Sequence, residues 1–258
     1  MSPGLIRALL ITDPLIIIAT IILGSVNLAV SLFDEGGRKQ VAIARFWSRV
    51  LLKIAGVKMT LEGVEKIDPN RGYVFVSNHV SFMDTPVVLA HIPVQFRFLA
   101  KKGLFSIPFL GYHLKRVGHL PVPRDNPRDA VKTMTEAGRI IRERRISVLV
   151  FPEGGRSLEG LKPFKEGAAY IAIKAGVPVV PVALLGTLEV LPMHSLTVRP
   201  GHVTLRVGDP IPTADLTMQD RAMLTKQLRE RVGELLTEPR APASGLRDVL
   251  RVSDSPGR

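Results

Sequence analysis

The sequence predicts an α/β domain, a mainly parallel sheet flanked by helices, preceded by an N-terminal membrane-embedded helical motif. Three observations carry this. From Gly72 onward, short β-branched or aromatic runs alternate with helix-like stretches. Before them, Leu15 to Phe33 reads LIIIATIILGSVNLAVSLF without a charge. The 258 residues, 46% hydrophobic and 22% charged, suit one sizeable domain with an appendage and exclude a mainly disordered chain.

The apolar run comes first. As a helix it spans ~28 Å, close to a bilayer's hydrocarbon thickness. Arg7 and Asp13 precede it, and Asp34, Glu35, Arg38 and Lys39 follow. A cleavable signal peptide ending near Ala29-Val30-Ser31, or a buried core helix, fits the same composition. Against the first stands a length beyond the ~7–15 residues of a signal h-region. Against the second, Asp13-Pro14 and Gly36-Gly37 set the run apart from the domain.

The next segment, QVAIARFWSRVLLKIAG, repeats Arg45, Arg49 and Lys53 every four residues. Ile43, Phe46, Trp47, Val50, Leu51 and Ile54 fall on its other side. A basic helix with Trp on its apolar side reads as interfacial; an ordinary helix covering the core has the same pattern. Strands are then predicted over 72–77, 96–100, 146–151, 177–185 and 203–207. Helices are predicted from close to Asp84, from the Asn126-Pro127 cap, over Lys165–Ala175 and over Asp215–Leu236. The organisation is therefore 1–58 membrane-embedded and interfacial helices, 59–238 the α/β domain, and 239–258 a flexible basic tail rich in Pro, Ser, Gly and Arg.

Charge narrows the partners. Thirty-five Lys and Arg against 23 acidic residues give +12, a surface suited to an anionic membrane, a phosphorylated substrate or nucleic acid. Aromatics at 5%, together with the apolar start, disfavour nucleic acid. The absence of Cys excludes disulfides and thiolate zinc sites, and the six His include no H-E-x-x-H pair, so no metal is expected. There is no G-x-x-x-x-G-K-[ST] loop for nucleotide hydrolysis.

The chemistry gathers at strand ends. The first strand runs out into Ser77-Asn78-His79-Val80-Ser81-Phe82-Met83-Asp84, and strand ends at the mouth of a parallel sheet are where α/β proteins collect ligands. His79 is suited to move a proton near neutral pH, and Asp84 can return to its second nitrogen and fix its tautomer. The same spacing also fits a helix-capping Asp84 beside a structural histidine. A later strand ends in Phe151-Pro152-Glu153-Gly154-Gly155-Arg156-Ser157, where two glycines allow close approach and Arg156 offers a fork for phosphate. Lys165 opens the helix that follows, and Arg124 closes Gly118–Arg124. Gly155-Arg156-Ser157-Leu158-Glu159-Gly160 misses the G-x-S-x-G nucleophile elbow by one residue.

Together these blocks resemble the glycerophospholipid acyltransferases, specifically 1-acyl-sn-glycerol-3-phosphate acyltransferases. The N-H-x-S-x-x-D block is Asn78–Asp84 and the G-x-x-x-x-x-R block is Gly118–Arg124. The F-P-E-G-x-R-S block is Phe151–Ser157 and the V-P-V-x-P-V block is Val177–Val182, all in the family's order. Lys101-Lys102-Gly103-Leu104-Phe105 and Pro108…Gly111 look like the family's segment between the first two blocks. The resemblance covers residues 40–215. Gly155 stands where Thr is common, and Pro121 and Pro123 replace hydrophobic and acidic residues.

The resemblance implies a glycerol-3-phosphate acyltransferase-like fold and direct acyl transfer from a thioester to the sn-2 hydroxyl of 1-acyl-sn-glycerol 3-phosphate, giving phosphatidate. His79 would be the base and Asp84 its orienting partner. Arg124, Glu153, Gly154 and Arg156 would hold the acceptor, with Lys101 and Lys165 contacting phosphate or acyl carrier. Backbone N–H groups near His79 or Gly154 are candidates for the oxyanion. No cofactor is implied; acyl-CoA or acyl-acyl carrier protein is the co-substrate. Partners would be lysophosphatidate and the lipids of an anionic leaflet, with the catalytic domain on the cytoplasmic side of an inner membrane. Another lysophospholipid or lyso-aminolipid acceptor, or a non-catalytic lipid- or phosphate-binding protein, fits the same features.

Overall fold

The computed structural model describes residues 3–34, 36–123, 126–195 and 197–239. Among them are the strands β1 (Val57–Glu62), β2 (Val74–Ser77), β3 (Phe96–Lys101), β4 (Leu120–Val122), β5 (Ser147–Val150), β6 (Val179–Leu185) and β7 (Gly201–Val207). They form one sheet in the order β1-β7-β6-β2-β5-β3-β4. Strands β2 to β6 run parallel, so their C-terminal ends share one rim. Strand β7 is antiparallel to β6 and parallel to β1.

The helices are α1 (Pro3–Arg7), α2 (Asp13–Ser31), α3 (Arg38–Ala55), α4 (Asp84–His91), α5 (Leu110–Val117), α6 (Pro127–Arg144), α7 (Gly167–Ala175), α8 (Thr187–Val190) and α9 (Arg221–Thr237). Strand β2 shows why both sheet faces are covered. Its side chains alternate, Phe75 joining one apolar cluster and Val74 and Val76 the other, all with no solvent exposure. The Phe75 side packs on Leu51 and Leu52 of α3 and on Val87 and Val88 of α4. The opposite side packs on Ile140 and Ile141 of α6, Ile171 of α7, and Leu224 and Leu228 of α9. The boundary expected at residue 58 thus falls just after a helix that shares its core with the sheet.

The apolar N-terminal helix is longer than the sequence pattern indicates. It runs over Gly4–Ser31, is long and apolar enough to cross a membrane, and is scarcely buried. Asp13-Pro14 does not end it. Residues Ala8–Thr12 form a π-helical turn, with the Asp13 N–H donating to Ala8 O, and this wider turn admits a proline without an N–H to give. Nor does the helix stand apart. Asp13 Oδ1 accepts the Val198 N–H at 3.2 Å, the Trp47 indole donates to Thr20 Oγ1 at 3.0 Å, and the Arg116 guanidinium donates to Ser31 O.

Helix α3 departs from an interfacial helix with a free basic face. Arg45 donates to the carbonyls of Ile92 at 2.9 Å and Val94 at 2.5 Å, and Arg49 to Ala90 O at 3.4 Å. Two of the three cations therefore satisfy carbonyls at and just beyond the C-terminal end of α4; Lys53, exposed like Arg49, makes no such bond. This is the core-covering alternative on that side of the helix.

Other differences have local causes. The outermost strands β1 and β4 lie outside the predicted runs. Strand β4 contains Pro121, which an outer strand tolerates because one side of it needs no partner. Helix α9 starts at Arg221 rather than Asp215 because Thr217 and Asp220 form a capping box around a short 3-10 turn. Residues 240–258 of the tail lie outside the described residues.

Beneath the α2–α3 turn sits a buried arginine. Arg97 donates to Gly36 O at 3.3 Å and Phe96 O at 3.2 Å. Burial and nearby Arg144 pull its pKa down to about 10, against the opposing pull of Asp34. Next to it, His119 Nδ1 accepts the Phe98 N–H at 3.0 Å. Burial, with Arg97 and His113 nearby, pushes this imidazole down to about 3, so it stays neutral.

Candidate active site

Strand β2 ends at Ser77, and the Asn78 side chain continues its ladder. Asn78 Nδ2 donates to Leu184 O at 2.9 Å while its Oδ1 accepts the Leu184 N–H at 2.8 Å. An amide does here what a peptide group would do in a longer strand, and the chain is free to turn. Ser81 fixes the turn's far side, donating to Leu191 O at 2.7 Å and accepting the Met83 N–H at 3.1 Å.

The turn brings Asp84 back onto His79. Asp84 is completely buried, and its Oδ2 lies 2.7 Å from His79 Nδ1. The same oxygen accepts the N–H groups of Val80 at 2.8 Å and Ser81 at 2.9 Å. A carboxylate facing Nδ1 makes that nitrogen the protonated one and leaves Nε2 with a free lone pair. Asp84 does not cap α4, whose N-cap is Met83; its carboxylate instead closes the turn before the helix against the imidazole.

The loop after β5 is stitched to His79 at both main-chain groups. The His79 N–H donates to Glu153 Oε1 at 2.8 Å, and His79 O accepts the Ser157 N–H at 3.2 Å. Phe151 stacks on the imidazole with centroids 4.1 Å apart. Register explains the contact: Val76 pairs with Val150, so the next residue along β5 reaches the turn that starts after Ser77.

Glu153 has a different place from the acceptor contact that the family resemblance implies. Its second oxygen accepts the Lys162 N–H at 3.0 Å, so both carboxylate oxygens already hold main chain, and Glu153 braces the site. Gly154 has φ +74°, and a β-carbon there would stand 3.0 Å from Lys165 Nζ, so the missing side chain is what lets that ammonium lie over the loop. The Arg156 guanidinium lies 3.6 Å above the centre of the Phe82 ring. The structure therefore brings His79, Asp84, Glu153, Gly154, Arg156 and Lys165 together at one rim. Lys101 ends β3 at the same rim, opposite Val122, and is exposed. Arg124, two positions beyond Val122, lies outside the described residues.

Two residues at this rim carried no role in the sequence pattern, Phe151 and Phe82. Each sits inside a recognised block, but its contact depends on which strands are neighbours. The N–H groups of His79 and Gly154 are already committed, the latter to Phe151 O at 3.1 Å. No acidic residue occurs between Asp84 and Asp125, so Lys101 lies in a stretch of chain whose charged side chains are all cationic.

A family model described as Acyltransferase matches residues 58–185. The chain is 37% identical over 169 residues to the chloroplastic 1-acyl-sn-glycerol-3-phosphate acyltransferase BAT2 of Brassica napus, covering 64% of this chain and 48% of that one. It is 28% identical over 197 residues to the human 1-acyl-sn-glycerol-3-phosphate acyltransferase alpha, covering 76% and 70%. The chain spans about half the length of the plant relatives it matches. Its fold is similar to the crystal structure of the 1-acyl-sn-glycerophosphate acyltransferase PlsC from Thermotoga maritima, with TM-score 0.72, 27% identity, and coverage of 92% and 99%.

Proposed function

The chain belongs to the acyltransferase family, and from that premise we propose that it acylates the sn-2 hydroxyl of 1-acyl-sn-glycerol 3-phosphate, releasing phosphatidate. The observation that carries the reading is the 2.7 Å contact between His79 Nδ1 and the buried Asp84 carboxylate. It leaves Nε2 to take the hydroxyl proton as the oxygen attacks the thioester carbonyl. The ester C–O bond forms, the C–S bond breaks, and the imidazolium returns its proton to the departing thiolate. Asp84 holds the ring and stabilises its cationic form.

Arg156, Lys165 and Lys101 supply positive charge at this rim for the acceptor phosphate, and Arg124 follows the strand beside Lys101. The donor is acyl-CoA or acyl-acyl carrier protein. Helix α2 holds the chain in a membrane, of inner-membrane type with the catalytic domain on the cytoplasmic side. The relatives named for lysophosphatidate acylation support this acceptor over other lyso-lipids.

The test is product analysis by mass spectrometry after purified protein is offered a panel of lyso-lipids and acyl thioesters. Phosphatidate formed from lysophosphatidate, and absent with His79→Ala, is expected. Preferential turnover of another lyso-lipid would reassign the acceptor, and no turnover of any would remove the catalytic reading.

A further inference from the structure

The connection between β3 and α5 presents an apolar surface that neither the sheet nor the histidine site uses. Leu104, Ile107, Phe109, Leu110 and Tyr112 lie within nine residues, and each is between 38% and 78% exposed, Phe109 the most. The segment is held in shape. Phe105 is buried at its base, and a β-carbon on Gly111 would stand 2.2 Å from Phe105 O, so only glycine fits. The Gly111 N–H donates to Ile107 O at 2.7 Å and the His113 N–H to Phe109 O at 2.9 Å. At the tip Phe109 has φ +60°, a conformation that large side chains rarely adopt. Strained backbone and an exposed phenyl ring are both unfavourable in water, and clustered apolar exposure of this kind marks an interaction surface.

We propose that this knuckle, residues 104–112, inserts among the lipids of the leaflet that holds α2. Three features favour a bilayer as its occupant. First, a second exposed apolar patch lies close by: α5 carries the knuckle at one end, and near its other end Arg116 is bonded to Ser31 O, next in sequence to the exposed Leu32 and Phe33. Along the helix that is ~10 Å. Second, Lys101, Lys102, Lys115 and Arg116 flank the knuckle with no acidic residue among them, which suits an anionic headgroup layer. Third, the knuckle follows β3 directly and so stands at the rim that holds His79. This last point rests on the acyltransferase reading: a lyso-lipid would then reach His79 sideways from the leaflet without leaving it.

The chain has no cysteine, so single-cysteine nitroxide labelling of the full-length protein is direct. Labels are placed by Phe109→Cys, by Ile107→Cys as an independent site should the first not fold, by Ile18→Cys on α2, and by Glu230→Cys on the solvent-facing side of α9. The protein is reconstituted in phosphatidylethanolamine–phosphatidylglycerol vesicles. Labels at 109 and 107 should relax strongly with oxygen and weakly with a polar nickel chelate, as at 18 and opposite to 230. Nickel accessibility at 109 and 107 equal to that at 230, with 18 in lipid, overturns the proposal. So does dipolar broadening between labels at 109, which would make the knuckle a contact between two copies of the chain. In a separate arm, Phe109→Ser should raise the apparent KM for vesicle-embedded lysophosphatidate several-fold and leave turnover of detergent-dispersed acceptor unchanged. Should no acceptor be turned over at all, the acyltransferase reading fails while the relaxation data still decide the insertion.

Discussion

Phe151 lies almost flat against His79, with ring planes inclined by 18°. Asp84 fixes the imidazole through Nδ1, and Phe151 fixes one of its faces. Removing the face should loosen the base without deleting it. Phe151→Ala is expected to lower kcat ten- to a hundredfold with little change in acceptor KM, because small misplacements of a reacting group are costly. Phe151→Tyr should keep most of the activity. Steady-state kinetics on both variants checks this, and an unchanged kcat in Phe151→Ala would assign ring placement to Asp84 alone.

His79→Ala should reduce turnover by ~100- to 10,000-fold, the usual contribution of a general base. Asp84→Asn should come close to it: the amide oxygen can still accept the Val80 and Ser81 N–H groups, but it offers no negative charge to the imidazolium. Circular dichroism should show both variants folded. Near-full activity in folded His79→Ala would end the base assignment.

Arg156 rests on Phe82, which is 60% exposed. The ring holds a planar guanidinium level and costs little entropy at the moment of phosphate binding. Phe82→Leu and Arg156→Lys should each raise the KM for lysophosphatidate while the acyl-thioester KM stays within about twofold. In the double variant the losses should not add. Equal weakening toward both substrates would point to a structural role.

Glu153 bridges two main-chain N–H groups. Glu153→Gln keeps one good acceptor and turns an NH2 group toward the other donor, at a cost of ~1–3 kcal/mol for the unmatched buried bond. Chemical denaturation should register that loss, and kcat should fall with acceptor KM nearly constant. A KM effect without a stability loss would restore direct acceptor contact.

His119 sets a pH dependence. Its folded pKa, about 3, lies below the unfolded value near 6.5, so the unfolded chain binds the extra proton first. This contribution to stability is complete above pH 6.5 and is lost as pH falls from there toward 3, by up to ~1.4 kcal/mol per unit. His119→Asn, which keeps an acceptor for the Phe98 N–H, should show a smaller drop in Tm between pH 7 and 4.5 than the parent chain. Equal drops would place the sensitivity in other groups.

Pattern and position account for what the sequence disclosed. Val74–Ser77 and Ser147–Val150 are buried on both faces, so their composition is continuous and visible. Spacing allowed Asp84 to return to His79 across one tight turn but fitted a helix cap equally, and the family resemblance was what implied the pair. Contacts between strands distant in sequence were hidden. That Phe151 would reach His79, or that Glu153 would bond to its N–H, depends on β5 lying beside β2, an order that composition does not encode. Arg45 and Arg49 misled for a related reason. A four-residue cationic repeat reports a helix face, and says nothing about whether water, lipid or another helix's carbonyls meet it.

Those two arginines have a practical consequence for anyone who shortens this chain. Helix α4 begins with the carboxylate that aims His79, and the carbonyls at its other end are held from α3. Trimming at residue 58 to obtain a soluble fragment would strip those carbonyls of their donors and, by removing Leu51 and Leu52, uncover the Phe75, Val87 and Val88 side of the core. The natural place to cut is between α2 and α3, near Gly37. A fragment starting there keeps the splint on α4 and sheds the greasiest helix in the chain.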